Sequence, residues 1–128
     1  MEKQTSYLNT DLDLESVSDL TALTATLSVA GVDALRSARE DNGVWYATFE
    51  VLNADEPEPN IAEMLTVIET LPPELKNIWD ECRSRVFNIG YECGLEPWAF
   101  NQTLSQSLLA RIASVGASLK ITLYPAKD

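Results

Sequence analysis

The stretch that decides the fold is residues 41–51, DNGVWYATFEV, in which a turn signal leads directly into the clearest strand of the chain. Asn42-Gly43 is the favoured dipeptide of a tight β-hairpin turn. From Val44 to Val51 the side chains alternate between two rows, and both rows are mainly apolar or aromatic. This pattern predicts a strand inside a sheet, covered at least partly on both faces and paired through the turn with a weaker strand over 33–39.

Three further segments show the apolar and polar alternation that is typical of half-buried strands. They are residues 7–16, 86–93 and 117–124. Successive side chains of a strand point to opposite faces of the sheet, so each of these segments presents one apolar row and one more polar row. Together with the hairpin, they predict five strands.

Apolar residues recur at helical spacing between these strands. A first helix is predicted within 20–31, and a last helix is predicted from Thr103 or Ser105 up to Gly116. Serine and threonine favour the N-terminal cap of a helix, and glycine favours the position after its end.

The segment between the third and fourth strands also predicts helix. Asn60 and Glu63 have the spacing of a capping box, and Pro72-Pro73 divides the helical stripe that follows into two helices. The order of elements predicts an α+β fold with a single two-layer domain. We expect a ferredoxin-like β-α-β-β-α-β core, extended by a C-terminal α-β unit.

Length and composition bound the class of protein. With 128 residues and 45% apolar residues, the chain fits one domain over 1–128, with 1–6 as a flexible N-terminus. No apolar run approaches the roughly 20 residues that a membrane span needs, and no signal-peptide pattern follows the first residues. These features predict a cytoplasmic protein. Cys82 and Cys93 are then expected to be reduced thiols, and their spacing matches no zinc motif.

The absence of histidine and the net charge of −11 restrict function most. Histidine is the commonest general base near neutral pH and the commonest metal ligand, so we predict no catalytic residues, no metal, no cofactor and no enzymatic activity. The negative charge opposes binding to nucleic acid and to anionic membranes. Residues 1–59 hold 12 Asp and Glu against 3 Lys and Arg, which favours a basic protein as the partner.

Three stretches carry a family resemblance: GVWYATFE at 43–50, RVFNIGY at 85–91, and LLARIA at 108–113 followed by GASLKITLY at 116–124. Together the chain from about residue 8 to 124 resembles a family of small bacterial proteins that is classed as a domain of unknown function, number four-two-seven-nine. The resemblance implies a small α+β fold, and it implies no catalytic residues.

A partner-binding surface is predicted from two features. Asp55, Glu56 and Glu58 form an acidic loop over 52–59 that would attract basic side chains. Trp98 and Phe100 lie beside Pro97 outside regular structure, where aromatic side chains often form binding hot spots. Our leading hypothesis is therefore a non-enzymatic protein-binding module that acts in the manner of an immunity or inhibitor protein.

Two alternatives remain open. The first is a small-ligand-binding domain or carboxylate-based enzyme with a pocket near Tyr46, Glu50, Tyr91 and Glu92, because paired carboxylates in a cleft support acid–base chemistry. The second is a homodimeric structural protein that pairs through an open sheet edge, with the last strand or the strand of residues 11–15 at the seam.

Asp11, Asp13 and Glu15 form a further carboxylate set at every second position of the first strand. This spacing predicts that all three lie on one face of the sheet. A calcium loop needs glycine at its sixth position, which is Ser16 here, so the pattern predicts a solvated strand face rather than a metal site.

Overall fold

The computed structural model describes residues 3–51 and 54–126. These residues form one mixed five-stranded sheet and four helices, so the predicted α+β class is confirmed. The elements in chain order are β1 (Ser6–Ser16), α1 (Thr21–Val29), β2 (Asp33–Arg39), β3 (Trp45–Glu50), α2 (Pro57–Glu69), α3 (Pro73–Glu81), β4 (Ser84–Cys93), α4 (Gln106–Ser114) and β5 (Ser118–Pro125).

The sheet has the strand order β2-β3-β1-β4-β5. Every neighbouring pair is antiparallel except β4 and β5, which are parallel and are joined by a crossover through α4. Because β1 lies between β3 and β4, it has no free edge. The predicted dimer seam at residues 11–15 is therefore wrong, whereas β2 and β5 are the two edge strands.

The helices cover one face of the sheet, and we call the other the open face. Strand residues on the helix face, such as Leu12, Phe49 and Phe87, are buried in one hydrophobic cluster with residues from all four helices. Their neighbours along each strand point to the open face and are less buried. Asp11, Asp13 and Glu15 lie together on that open face, as their spacing predicted.

The turn between β2 and β3 is longer than the Asn-Gly dipeptide suggested. Glu40 N donates to Val44 O at 2.9 Å, and Gly43 N donates to Glu40 O at 2.9 Å. Only Gly43 in this loop has a positive φ, at 83°. The geometry is that of a three-residue loop with glycine in the left-handed position, which is also common in β-hairpins.

Helix α2 begins earlier than predicted. It starts at Pro57, a favourable residue for the first turn, so residues 57–59 of the predicted acidic loop are helical. Residues 54–56 precede the helix as irregular backbone, and 52–53 lie outside the described residues. Asn60 consequently lies inside the helix, buried at its contact with the sheet, and does not act as its N-cap. Ser105 does cap α4, since its hydroxyl accepts from Leu108 N at 3.1 Å.

Residues 3–6, which belong to the segment predicted to be flexible, are held by backbone hydrogen bonds. Thr5 N donates to Glu96 O at 2.7 Å, and Leu95 N donates to Lys3 O at 3.0 Å. Ser6 is the first residue of β1. Among the described residues, no helix is long and apolar enough to cross a membrane.

Candidate functional site

The four residues of the predicted pocket do not meet. Tyr46, Glu50 and Glu92 point to the open face, whereas Tyr91 is 4% exposed and lies on the helix face. Strand β1 lies between the strands that carry Glu50 and Glu92. Asp11 of β1 pairs with Glu50 on one side and with Asn88 on the other, and Glu92 lies four residues beyond Asn88 along β4. At standard strand spacings the two carboxylates are roughly 16 Å apart. They do not form an acid–base pair.

A different pair of carboxylates is close. Asp11 of β1 lies directly opposite Glu50 of β3, and Asn9 Nδ2 donates to Asp11 Oδ1 at 3.1 Å and to Glu50 Oε2 at 3.4 Å. Burial, together with the charges of Asp13 and Glu50 and a hydrogen bond to Glu50, raises the pKa of Asp11 from 3.8 to about 6. Asp11 can therefore hold a proton at mildly acidic pH.

The open face also carries a pocket of about 320 Å³. Tyr46 lines it, with the cations Arg36 and Lys120 contributed by the outer strands. Its acidic residues already have partners: Thr48 Oγ1 donates to Asp13 at 3.0 Å, and Arg83 Nε donates to Glu15 at 3.2 Å. Over 3–51 and 54–126, no three or more His, Cys, Asp and Glu side chains are grouped to hold a metal ion.

The three acidic residues of the predicted docking loop have different environments. Asp55 and Glu56 are exposed. Glu58 instead joins two helices, because its carboxylate accepts from Ser105 N and from Ser105 Oγ, both at 2.7 Å. Both hydrogen bonds lower the pKa of Glu58, and the bond from the Ser105 hydroxyl has the larger effect. Glu58 therefore has a structural role, and only Asp55 and Glu56 remain free for docking.

A mostly apolar groove of about 530 Å³ lies on the helix face. It lies between β5 and the segment 94–102 that follows β4, and we call it the β5 groove. None of its lining residues is charged: Thr5, Tyr91, Cys93, Gly94, Leu95, Pro97, Trp98, Phe100, Gln102, Ile121 and Leu123. Both aromatic residues predicted to bind a partner, Trp98 and Phe100, belong to it.

Tyr91, at the floor of the β5 groove, packs against the groove residue Phe100 and against Tyr7, which does not line the groove. The rings of Phe100 and Tyr91 meet edge to face with centroids 5.6 Å apart, and those of Tyr91 and Tyr7 do so at 6.0 Å. Such contacts add about 0.5–1.5 kcal/mol each beyond the burial of area. Tyr91 also donates a hydrogen bond from its hydroxyl to Gln102 Oε1 at 3.2 Å, which ties the end of the segment to the floor.

The beginning of the 94–102 segment is held against the N-terminal residues. Gly94 N donates to Thr5 Oγ1 at 3.0 Å, and Thr5 N donates to Glu96 O at 2.7 Å. A Cβ atom at position 94 would overlap the carbonyl of Lys3, so this close approach requires glycine. The 94–102 segment forms one wall of the groove, and hydrogen bonds hold both of its ends.

Large apolar side chains on the rim of the groove face solvent. Trp98 is 99% exposed, Leu123 is 63% exposed, and Leu95 and Ile121 are exposed as well. An exposed apolar cluster of this kind marks an interaction site more often than it does an ordinary surface.

The acidic loop lies at the same end of the molecule. Asn60 Nδ2 donates to the hydroxyl of Tyr7, whose ring packs against the groove residue Tyr91, at 2.9 Å, and to Ala54 O at 3.1 Å. Ala54 immediately precedes the exposed carboxylates of Asp55 and Glu56. Exposed negative charge therefore lies at the same end of the molecule as the apolar groove.

The sequence indicated that Ile121 and Leu123 share a face with Leu119, but not that this face is uncovered. The uncovered part of this face follows from the length of α4 relative to that of β5. Helix α4 has 9 residues and spans about 13 Å, whereas β5 has 8 residues and spans about 26 Å. A helix of that length covers only half of the strand, and the uncovered half becomes the groove.

Comparisons of this chain with models of protein families, with curated proteins and with solved structures gave no match. Membership of the family numbered four-two-seven-nine therefore stays a prediction that rests on the three stretches quoted above.

Proposed function

We propose that the protein is a non-enzymatic protein-binding module, and that it binds a basic protein through the β5 groove and the neighbouring acidic loop. The observation that carries the proposal is the exposed apolar rim around Trp98, next to the buried ring of Tyr91 and its contact with Phe100. Where such an aromatic anchor is a binding hot spot, its truncation to alanine weakens binding by about 2 kcal/mol or more.

The charge of the chain supports a basic partner. The net charge is −11, and Asp55 and Glu56 are exposed at the same end of the molecule as the groove. Charges at the rim of an interface mainly accelerate association, whereas the apolar centre slows dissociation. Replacing both Asp55 and Glu56 by Lys should therefore slow association roughly tenfold at low salt, with little change in the dissociation rate. Glu58 is left unchanged in this variant because it holds α4.

The test is affinity capture from a lysate of the source cells with matched variants. Trp98→Ala combined with Leu123→Asp changes two exposed residues of the rim. The control is Val29→Asp, which alters an equally apolar surface residue, 91% exposed, at the end of α1. We expect a basic protein to be captured by the wild type and by the control, to be lost at least tenfold with the double variant, and to elute at high salt. Identical captures with all three proteins would contradict the proposal.

A second candidate function, small-ligand binding or carboxylate-based catalysis, is favoured by one observation. The pKa of Asp11 is raised to about 6 beside Glu50, and such perturbed groups cluster at functional sites. A thermal-shift screen of small molecules at pH 6, run on the wild type and on Asp11→Asn, tests it. A site at this pair requires a compound that raises the Tm of the wild type alone, and the absence of any such compound rejects the candidate.

For the fold, we propose a ferredoxin-like core. The run β4-β1-β3-β2, with antiparallel neighbours and a crossover through α1, supports this assignment. Two helices rather than one connect β3 to β4, and β5 adds a parallel strand beyond β4. We also propose membership of the family numbered four-two-seven-nine, on the resemblance of residues 8–124.

A further inference from the structure

We infer that the β5 edge receives an extended segment of the partner as a sixth strand, with apolar side chains at alternate positions and lysine or arginine at its ends. This inference rests on the proposed function and specifies how the partner binds. Strand addition of this kind obtains affinity from main-chain hydrogen bonds and specificity from pockets for every second side chain.

The edge of β5 is available for such pairing. Among the described residues, β5 pairs with β4 alone, in an unbroken register from Ser118 to Pro125. Ala126 N donates inward to Cys93 O at 3.0 Å. Since backbone groups alternate along a strand, the N–H and C=O groups of the odd-numbered residues Leu119, Ile121 and Leu123 point outward. Apart from Lys120, the strand carries no charge that would oppose an incoming strand.

The β5 groove provides the side-chain pocket that strand addition requires. It lies on the helix face directly over Ile121 and Leu123 and is walled by Trp98. Side chains at every second position of an added strand would point to the same face, about 7 Å apart. One or two apolar side chains of the partner would then fill the groove and cover the exposed rim.

Charge decides between a partner and a second copy of the chain. Each copy carries −11, and the exposed carboxylates of Asp55, Glu56 and Glu96 lie at the groove end of the molecule. Pairing two β5 edges would bring together two copies that each carry this net negative charge, and the repulsion would oppose association. A segment with cationic ends meets these carboxylates favourably. We therefore assign the edge to a cationic segment of another protein.

A defined peptide tests the inference. The probe is Lys-Lys-Val-Thr-Val-Thr-Val-Lys-Lys with blocked termini. One control replaces its four lysines by glutamates, and a second control carries N-methyl groups on the central five amides, which removes the donors for pairing. Binding is measured by calorimetry, and hydrogen exchange reports the amides of β5. We expect the basic peptide to bind at least tenfold more tightly than either control and to protect the amides of Leu119, Ile121 and Leu123.

Matched variants of the two edge strands locate the site. Leu123→Asp should weaken binding of the basic peptide at least tenfold. Leu35→Asp, at a residue of β2 that is 58% exposed, should leave it unchanged. Both positions are exposed at a sheet edge, so a loss with Leu123→Asp alone is not explained by unfolding.

Three results would overturn strand addition. They are no binding of the basic peptide at millimolar concentration, equal binding of the N-methylated peptide, and a wild-type dimer in sedimentation whose β5 amides are protected without peptide. The last result would assign the edge to a second copy. None of them rejects the groove as a binding surface, because the proposed function fails only if the lysate capture is the same for the groove variants and for Val29→Asp.

Discussion

The two edges of the sheet are built differently. On β2, Asp33, Arg36 and Arg39 are charged, the register against β3 shifts between Ala34 and Arg36, and Arg36 forms an ion pair with Glu40. On β5, Lys120 is the one charged residue, and the register against β4 has no shift. Charges and bulges are the devices that keep sheet edges from pairing with other chains. The sheet is thus protected at β2 and open at β5.

The packing of the helices follows the same division. Helix α1 contacts β2, where Thr24 and Ser37 hydroxyls are 2.9 Å apart, whereas α4 covers only the first half of β5. The open edge and the uncovered apolar half of β5 coincide with the groove. A regular, apolar strand edge beside a pocket favours aggregation unless a partner covers it. This difference between the two edges is the reason that we propose binding at β5.

The largest expected effect comes from breaking the wall of the groove. Gly94→Ala should lower the free energy of unfolding by about 3 kcal/mol, because the added Cβ overlaps the carbonyl of Lys3. The control is Gly31→Ala, where φ is +94° but no atom lies within 4 Å. It should cost about 1 kcal/mol. Chemical denaturation measures both, and equal losses would mean that the wall is not held as described.

A proline pair tests whether the β5 edge is unpaired. Thr122→Pro removes an inward N–H that faces β4, whereas Leu123→Pro removes an outward one. We therefore expect Thr122→Pro to be less stable than Leu123→Pro by about 2 kcal/mol, which is the cost of a lost ladder hydrogen bond and an orphaned acceptor. Equal losses in urea unfolding would indicate that the outward groups of β5 are already paired.

The elements of the sheet were largely predictable from sequence, since local alternation determines them. The strand predicted over 33–39 is observed as Asp33–Arg39, and Ser105 caps α4 as one of the two predicted residues. The errors are local as well. The sequence Pro57-Glu-Pro-Asn60 resembles a loop, but proline is compatible with a helical first turn, and α2 begins there.

The site was less predictable because it depends on which residues are covered. The alternation that predicted β4 already places Tyr91 and Glu92 on opposite faces, so a pocket containing both conflicted with the strand itself. The groove joins residues from both ends of the chain, such as Thr5 and Leu123. Their proximity follows from strand order and from the length of α4, and neither is encoded by a local motif.

The centre of the sheet, between the two edges, carries an electrostatic cost. The folded pKa of Asp11 is about 6 against an ordinary 3.8, so the folded state holds the proton that the unfolded state releases, and stability falls as pH rises between these values. After allowance for solvent screening, Asp11→Asn should stabilise the protein by about 1 kcal/mol at pH 7.5 and not at pH 3.5. The control Asp41→Asn removes the same charge from the exposed hairpin turn. An equal gain in stability for Asp11→Asn at both pH values would contradict the raised pKa of Asp11.

The smallest expected effect concerns the helix that covers half of β5. Glu58 accepts two hydrogen bonds from Ser105 at the N-terminus of α4, and they lower its pKa. The stabilisation is therefore present above the usual glutamate pKa and is lost as pH falls through the lower folded value. Glu58→Gln should lower the Tm slightly at pH 7, and this difference should disappear at low pH. It should also speed hydrogen exchange at the start of α4, whereas Glu56→Gln, on an exposed side chain, should do neither. If exchange in α4 is unchanged, Glu58 does not hold the helix over β5, and the extent of the open edge must be set by the length of α4 alone.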